Sequence, residues 1–380
     1  MEQKKFDANS FIGLLLLGAI MLWFMYTNQE EVIPTENTTE TVIDSTKTTT
    51  TTPTITNNTT PIVINDSLKN AALQNKLGAF SYGAQVATEG TTVLENEKLK
   101  LTIDNKGGQI IEALVKTYKR YDSLPLYLIK DKNASFNLNF GTTDNRILNT
   151  QDLLFIPSLS KNGENQVLSM RLKVSETQYL EYRYEMKPND FMVDFAVRSQ
   201  GLGTVINSSN TINLDWNLKT FRNEKSISTE NMYSELKFYT DEADYLSAGS
   251  SDNEIVDNVQ WVGYKQHFFT SILLSDTPFN KASLTSTNLV NDDKIDTVFT
   301  KKYELNTPLA LNNGELNYNM NWYYGPVDYK ALKAYEGKNL GDMVDLGWGI
   351  FGAINRTIFI PIFGWLSGLM SNYGLIIILM

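Results

Sequence analysis

Residues 168–197 read LSMRLKVSETQYLEYRYEMKPNDFMVDFAV, and their period decides the fold. Leu168, Met170, Leu172 and Val174 alternate with polar side chains. Leu180, Tyr182, Tyr184 and Met186 repeat the pattern, Pro188-Asn189-Asp190 supplies a turn, and Phe191, Val193, Phe195 and Val197 carry it back. A period of two places every second side chain on one face of a strand. Three such runs with short connections predict an antiparallel meander with one buried face.

The same period recurs on both sides of the meander. Leu99, Leu101 and Ile103 alternate with Lys100, Thr102 and Asp104, Asn105-Lys106-Gly107-Gly108 turns the chain, and Gln109-Ile110-Ile111 begins the return. The Gly-Gly doublet reads as a turn that needs positive φ, not as a phosphate cradle. Leu316, Tyr318, Met320 and Trp322 alternate late in the chain, before Gly325-Pro326. No helix-period segment of convincing length interrupts these runs. The expectation is a mainly β chain, with residues 91–326 forming one large sandwich rather than a parallel α/β sheet. Residues 327–345 then form a short helix, Val327 to Tyr335, and a connector.

The two ends have a different character. Lys4 and Lys5 precede the apolar run Phe11 to Tyr26, which ends in Trp23, Phe24, Met25 and Tyr26 with no small-residue cleavage site. Residues 1–28 read as an uncleaved signal anchor with a cytoplasmic N-terminus. Residues 29–90 read as a tether, ordered at most in part from Ile62 to Ala84. Fourteen of the thirty residues from Glu31 to Thr60 are threonine, too little apolar surface to offset the entropy of ordering. From Leu346 to Met380 the only charged side chain is Arg356. Within 346–371, Gly349, Gly352 and Arg356 share one helical stripe. Trp348, Phe351, Ile358, Phe359, Ile362 and Trp365 lie opposite. That pattern predicts an amphipathic helix in the headgroup plane, with Trp348, Arg356 and Trp365 as membrane-interface residues and a kink at Pro361. A plain spanning helix is the other reading, at an insertion cost of about 2.5–3.5 kcal/mol for a central arginine. Residues 372–380 read as the start of a second span that continues beyond Met380, because a membrane helix needs about 20 apolar residues.

Composition excludes several chemistries. The 380 residues carry a net charge of −10, which argues against nucleic acid as a partner. There is no cysteine and a single histidine, His267, so thiol chemistry and multi-histidine metal sites are excluded. His267 sits among aromatics in Trp261-Val262-Gly263-Tyr264-Lys265-Gln266-His267-Phe268-Phe269 and reads as a packed structural residue. No Walker, dinucleotide or nucleophile-elbow motif is present. No catalytic, metal or cofactor residue is expected.

The order of these parts resembles the YidC family of bacterial membrane protein insertases. Leu99 to Leu114 is similar to the family's first hairpin with its Gly-Gly turn. Val259 to Phe269 is similar to its Trp-x-x-x-x-Gln-x-x-Phe segment, and Tyr324-Gly325-Pro326 to the close of its external domain. Val344-Asp345-Leu346-Gly347-Trp348 and Asn372-Tyr373-Gly374 resemble its entries to the interfacial helix and to the second span. The resemblance implies a periplasmic β-supersandwich like that of galactose mutarotases, in an inner-membrane protein that assists membrane-protein insertion without covalent catalysis. The implied partners are nascent membrane proteins, lipid, and the Sec translocon with its accessory subunits. The family's insertase groove, with its positive side chain in the second span, is expected beyond Met380. The alternative is a membrane-anchored carbohydrate-binding or mutarotase-like protein, with surface aromatics such as Tyr323 and Tyr324 stacking on sugar.

Overall fold

A computed structural model describes residues 66–347, 349–370 and 372–380. The signal-anchor stretch and the Thr-rich segment up to residue 65 lie outside the described residues, as does Trp348.

The alternating runs become strands, and every pairing is antiparallel. Leu99–Asp104 and Ile110–Lys119 form the first predicted hairpin. The turn between them holds Gly107 and Gly108 at φ +83° and +62°, the left-handed region that glycine enters without steric cost. At Gly108 a Cβ would also press on the rings of Phe155 and Tyr182 at 3.1 Å. Thr91–Glu95 and Pro125–Ile129 flank this hairpin to complete a four-stranded sheet.

The meander is realised as Asn165–Lys173, Tyr179–Met186 and Met192–Gln200. It lies within a nine-stranded sheet. Asn317–Pro326 pairs with Met192–Gln200 on one side and with Phe269–Phe279 on the other; Val259–Gln266 and Ser234–Tyr239 follow. A six-stranded sheet faces it, with Ala134–Gly141, Ile212–Phe221 and Phe299–Leu309 at its centre.

Aromatic side chains fill the space between the two large sheets. Trp216 lies on Tyr264 with ring centroids 3.8 Å apart and meets Trp322 edge-on at 5.0 Å. Phe136 meets Tyr182, Phe195 and Trp322 edge-on at 5.5–5.7 Å. Edge-to-face pairs of this kind add to the stabilisation from area burial. The buried hydroxyls find acceptors: Tyr184 donates to the Gly108 carbonyl and Tyr264 to the Trp216 carbonyl, both at 2.8 Å. These two hydroxyls are thus satisfied within the protein, whereas the buried Trp322 indole N–H has no hydrogen-bond partner among the described residues.

Two expectations need correction. The tether does not extend to residue 90, because Asp66–Leu77 and Ser81–Val86 are helices docked on the sandwich. Phe80 between them is fully buried and meets Phe140 edge-on at 5.5 Å. The second concerns Tyr323 and Tyr324, which are core residues, 0% and 1% exposed, and offer no stacking surface to a sugar.

Candidate membrane-proximal site

The candidate site is the junction at which the sandwich passes the chain to its apolar tail. Strand Asn317–Pro326 ends at the predicted Gly-Pro. Val327 donates its N–H to the Phe268 carbonyl at 2.7 Å, holding the exit against the neighbouring hairpin. Asp328 caps the next helix, its carboxylate accepting the Ala331 N–H at 2.8 Å. That helix, Tyr329–Lys333, is shorter than expected. A 3₁₀ turn, Leu340–Met343, then buries Leu340 and Met343 on the outer face of the nine-stranded sheet. Gly263 makes room for this packing, since a Cβ there would collide with the Met343 methyl.

Beneath the 3₁₀ turn lies an ionic clamp. Glu235 faces Lys265, and Lys237 faces Gly263, across adjacent strands. Lys265 donates to Glu235 at 2.9 Å and to Asp345 at 2.6 Å. Lys237 donates to the other Asp345 oxygen and to the Met343 carbonyl at 3.4 Å. Each lysine is 4% exposed, so each needs a partner; an uncompensated buried charge would be strongly destabilising. Asp345 bridges both ammonium groups from the connector and so fastens the connector to the sheet. Burial works against the Lys265 charge, but the Asp345 hydrogen bond and the Glu235 carboxylate outweigh it and hold Lys265 above the usual lysine range. Burial likewise opposes the Asp345 charge, and the two lysines override it, holding the carboxyl below its usual range.

Immediately after the clamp, Gly349–Leu369 forms a helix long and apolar enough to cross a membrane. Residues Asn355–Phe359 are π-helical, with Ile360 between them and Pro361. Proline has no N–H for the ordinary helical bond, and the wider turn accommodates that loss without ending the helix. Gly352 is buried toward the connector, while Ile350, Phe351, Ile358 and Trp365 are exposed. Arg356 lies on the connector side, with a guanidinium nitrogen 3.8 Å from Asp342 and the group 5.9 Å from the Tyr329 ring. Of the three expected interface residues, Trp348 lies outside the described residues, Arg356 is joined to the connector and Trp365 is left exposed, so the latter two are not brought together. After this helix, Asn372 caps helix Tyr373–Leu379, accepting the Leu375 N–H at 3.2 Å.

Sequence reasoning missed the clamp. The available signal was a lysine in each of two otherwise core-like strands, in Leu236-Lys237-Phe238 and Tyr264-Lys265-Gln266, where the strand period alone points them at solvent. His267 is half-buried, stacked between the exposed rings of Tyr233 and Phe268 at 4.6 and 3.8 Å, with Nδ1 2.6 Å from a Glu224 oxygen. Among the described residues no cluster of three or more His, Asp or Glu could hold a metal ion.

Fold and site together define an all-antiparallel β sandwich clamped at its exit to an apolar helix long enough to cross a membrane. The particular family follows from sequence. The chain belongs to the YidC family, since the model of the YidC periplasmic domain matches residues 91–361. A membrane protein insertase YidC of Parabacteroides distasonis is 32% identical over 98% of this chain and 61% of its own length. Those of Porphyromonas gingivalis and Phocaeicola vulgatus are 31% and 30% identical, again over 98% of this chain and over 61% and 60% of theirs. The chain thus spans about three-fifths of the length of these relatives. Among solved structures, a putative aldose 1-epimerase of Escherichia coli K12 is similar over 62% of this chain and 99% of its own, with 9% identity and a TM-score of 0.39.

Proposed function

We propose that this chain works in membrane-protein insertion, as the anchored periplasmic portion of a YidC-type insertase in the bacterial inner membrane. The observation that carries this reading is the family match running through the sandwich, the clamp and the first half of the apolar helix, residues 91–361. The proposed physical role is to hold the membrane-embedded part at a fixed height and orientation. An insertase lowers the cost of moving short polar segments across the hydrocarbon, where each unsatisfied polar group costs several kcal/mol on its own. No covalent step is involved. In this reading the N-terminus is cytoplasmic, the sandwich is periplasmic, and helix Gly349–Leu369 lies in the headgroup plane with Trp348, Arg356 and Trp365 at the interface. Nascent membrane proteins are the clients, lipid is the medium, and the Sec translocon with its accessory subunits is the docking partner.

The test is depletion of the gene product in its own host, followed by insertion of a small two-span reporter measured by protease protection. Loss of insertion, restored by the intact gene, is expected. Normal insertion under full depletion would instead favour an envelope scaffold.

A further inference from the structure

Close to the exit of the sandwich is a cavity of about 260 Å³, lined by Tyr121, Asn223, Glu230, Gln266, Phe268 and Phe269. Asn223 and Gln266 are 5% and 1% exposed. The Asn223 side-chain amide donates to Gln266 Oε1 at 2.8 Å. Asn223 Oδ1 and Gln266 Nε2 are both buried and have no partner among the described residues. Reversing both amides exchanges the roles and leaves the same remainder, one carbonyl acceptor and one N–H donor. Burying both groups unpaired is unfavourable, so the pair is poised to take a group that offers a donor and an acceptor together.

The mouth of the cavity limits what that group belongs to. Phe268 is 55% exposed, and Tyr121 and Tyr233 are 47% exposed. Tyr233, His267 and Phe268 stack in one series, and the Arg222 guanidinium lies 4.9 Å from the Tyr121 ring. Of these, Tyr121 and Phe268 line the cavity itself, together with Lys119, Glu224 and Lys225, and exposed aromatics of this kind are enriched in protein-binding hot spots. The backbone is fixed at this place: Phe269 pairs with Pro326, and the Phe268 carbonyl holds Val327, the first residue of the connector toward the membrane helix.

We propose that this cavity binds an extended polypeptide segment, taking one peptide group on the Asn223–Gln266 pair and an apolar side chain against Phe268 and Tyr121. A peptide group carries the N–H and C=O that the pair lacks, and an extended chain exposes them without an internal partner. The proposal deepens the insertase reading by giving the clients' exported segments a landing place at the membrane-proximal end of the sandwich. Binding itself does not require insertion, so the two readings fail separately.

The experiment is fluorescence anisotropy with the full chain in nanodiscs and a dye-labelled, capped, unstructured peptide, acetyl-Gly-Ala-Leu-Phe-Ala-Gly-amide. Saturable binding is expected, weakened about tenfold in Gln266→Met and at least threefold in Phe268→Ala. The Phe268 ring is exposed, so Phe268→Ala keeps the test valid if the buried variant misfolds. Ser158→Ala, on the exposed edge strand Ile156–Asn162, is the remote control and should bind as the parent does. Absence of saturable binding overturns the proposal, as does binding indifferent to both site variants. Displacement of the peptide by millimolar monosaccharide would do the same and assign the cavity to sugar.

Discussion

Compare the interior of the sandwich with the junction on its outer face. Inside, Trp216, Tyr264, Trp322 and Phe136 meet ring to ring with almost no exposure. On the outer face of the same nine-stranded sheet, Lys237 and Lys265 are just as buried, yet two carboxylates hold them. The first region gains by removing apolar surface from water, is non-directional, and tolerates pH. The second is directional and gives a defined position for the connector, with little net stability, because desolvation offsets most of the Coulombic gain. The sheet thus does two jobs: one face builds the domain and the other sets where the apolar helix leaves it.

Substitutions separate the two regions, and the largest effect belongs inside. Trp216→Ala removes a ring stacked at 3.8 Å on Tyr264 and should lower stability by about 3–5 kcal/mol, read as a lower denaturant midpoint for the whole domain. A loss confined to the connector would break the comparison.

Glu230 sharpens it through pH. Its carboxyl is fully buried, and burial raises it to about 7 although the Asn223 and Glu224 N–H groups pull the other way. The folded state therefore holds a proton that the unfolded chain has released above its own value of 4.5. Stability from this group is complete below pH 4.5 and falls as pH rises to about 7. Glu230→Gln should remove this slope, worth on the order of 3 kcal/mol, when melting is followed across that window. An unchanged slope would show that other groups cause it.

Asp345→Asn tests the clamp. Asp345 is itself half-exposed, so the expected loss is about 2 kcal/mol, below the 3–5 kcal/mol of a fully buried pair. The loss should be local: hydrogen exchange should quicken over residues 329–345, while the aromatic core stays protected. Because the Asp345 carboxyl is held below its usual range, its contribution is present at neutral pH and disappears as pH falls below about 4.

Arg356→Ala should be the mildest. Its contact with Asp342 is 3.8 Å long between half-exposed groups, and such pairs are worth about 0–1 kcal/mol. Binding to anionic vesicles should weaken more than folding does, which sedimentation with lipid can measure.

The sequence made the interior legible and the junction only partly so. Leu180, Tyr182 and Tyr184 announce their buried face because strand period and core burial coincide there, and the Gly107-Gly108 turn states its own backbone need. Arg356 and Trp365 stood out against an apolar background. Lys237 and Lys265 did not, since their burial depends on a segment some eighty to one hundred residues later folding over them, and a two-residue period carries no record of such a cover. Phe80 was hidden for the same reason: two short helices of modest amphipathicity become ordered only by docking on the sandwich.

Asp345, through Lys237 and Lys265, is the tie between the connector of the apolar helix and the β domain. The chain contains no cysteine, so spin labels can be placed without background at Ser158→Cys on the exposed sheet edge and Gly364→Cys on the helix. Pulsed dipolar distance measurement in lipid nanodiscs should give one narrow distribution for the parent and a broad one for Asp345→Asn. Equally broad distributions in both would contradict the account, since the helix would then move independently of the clamp.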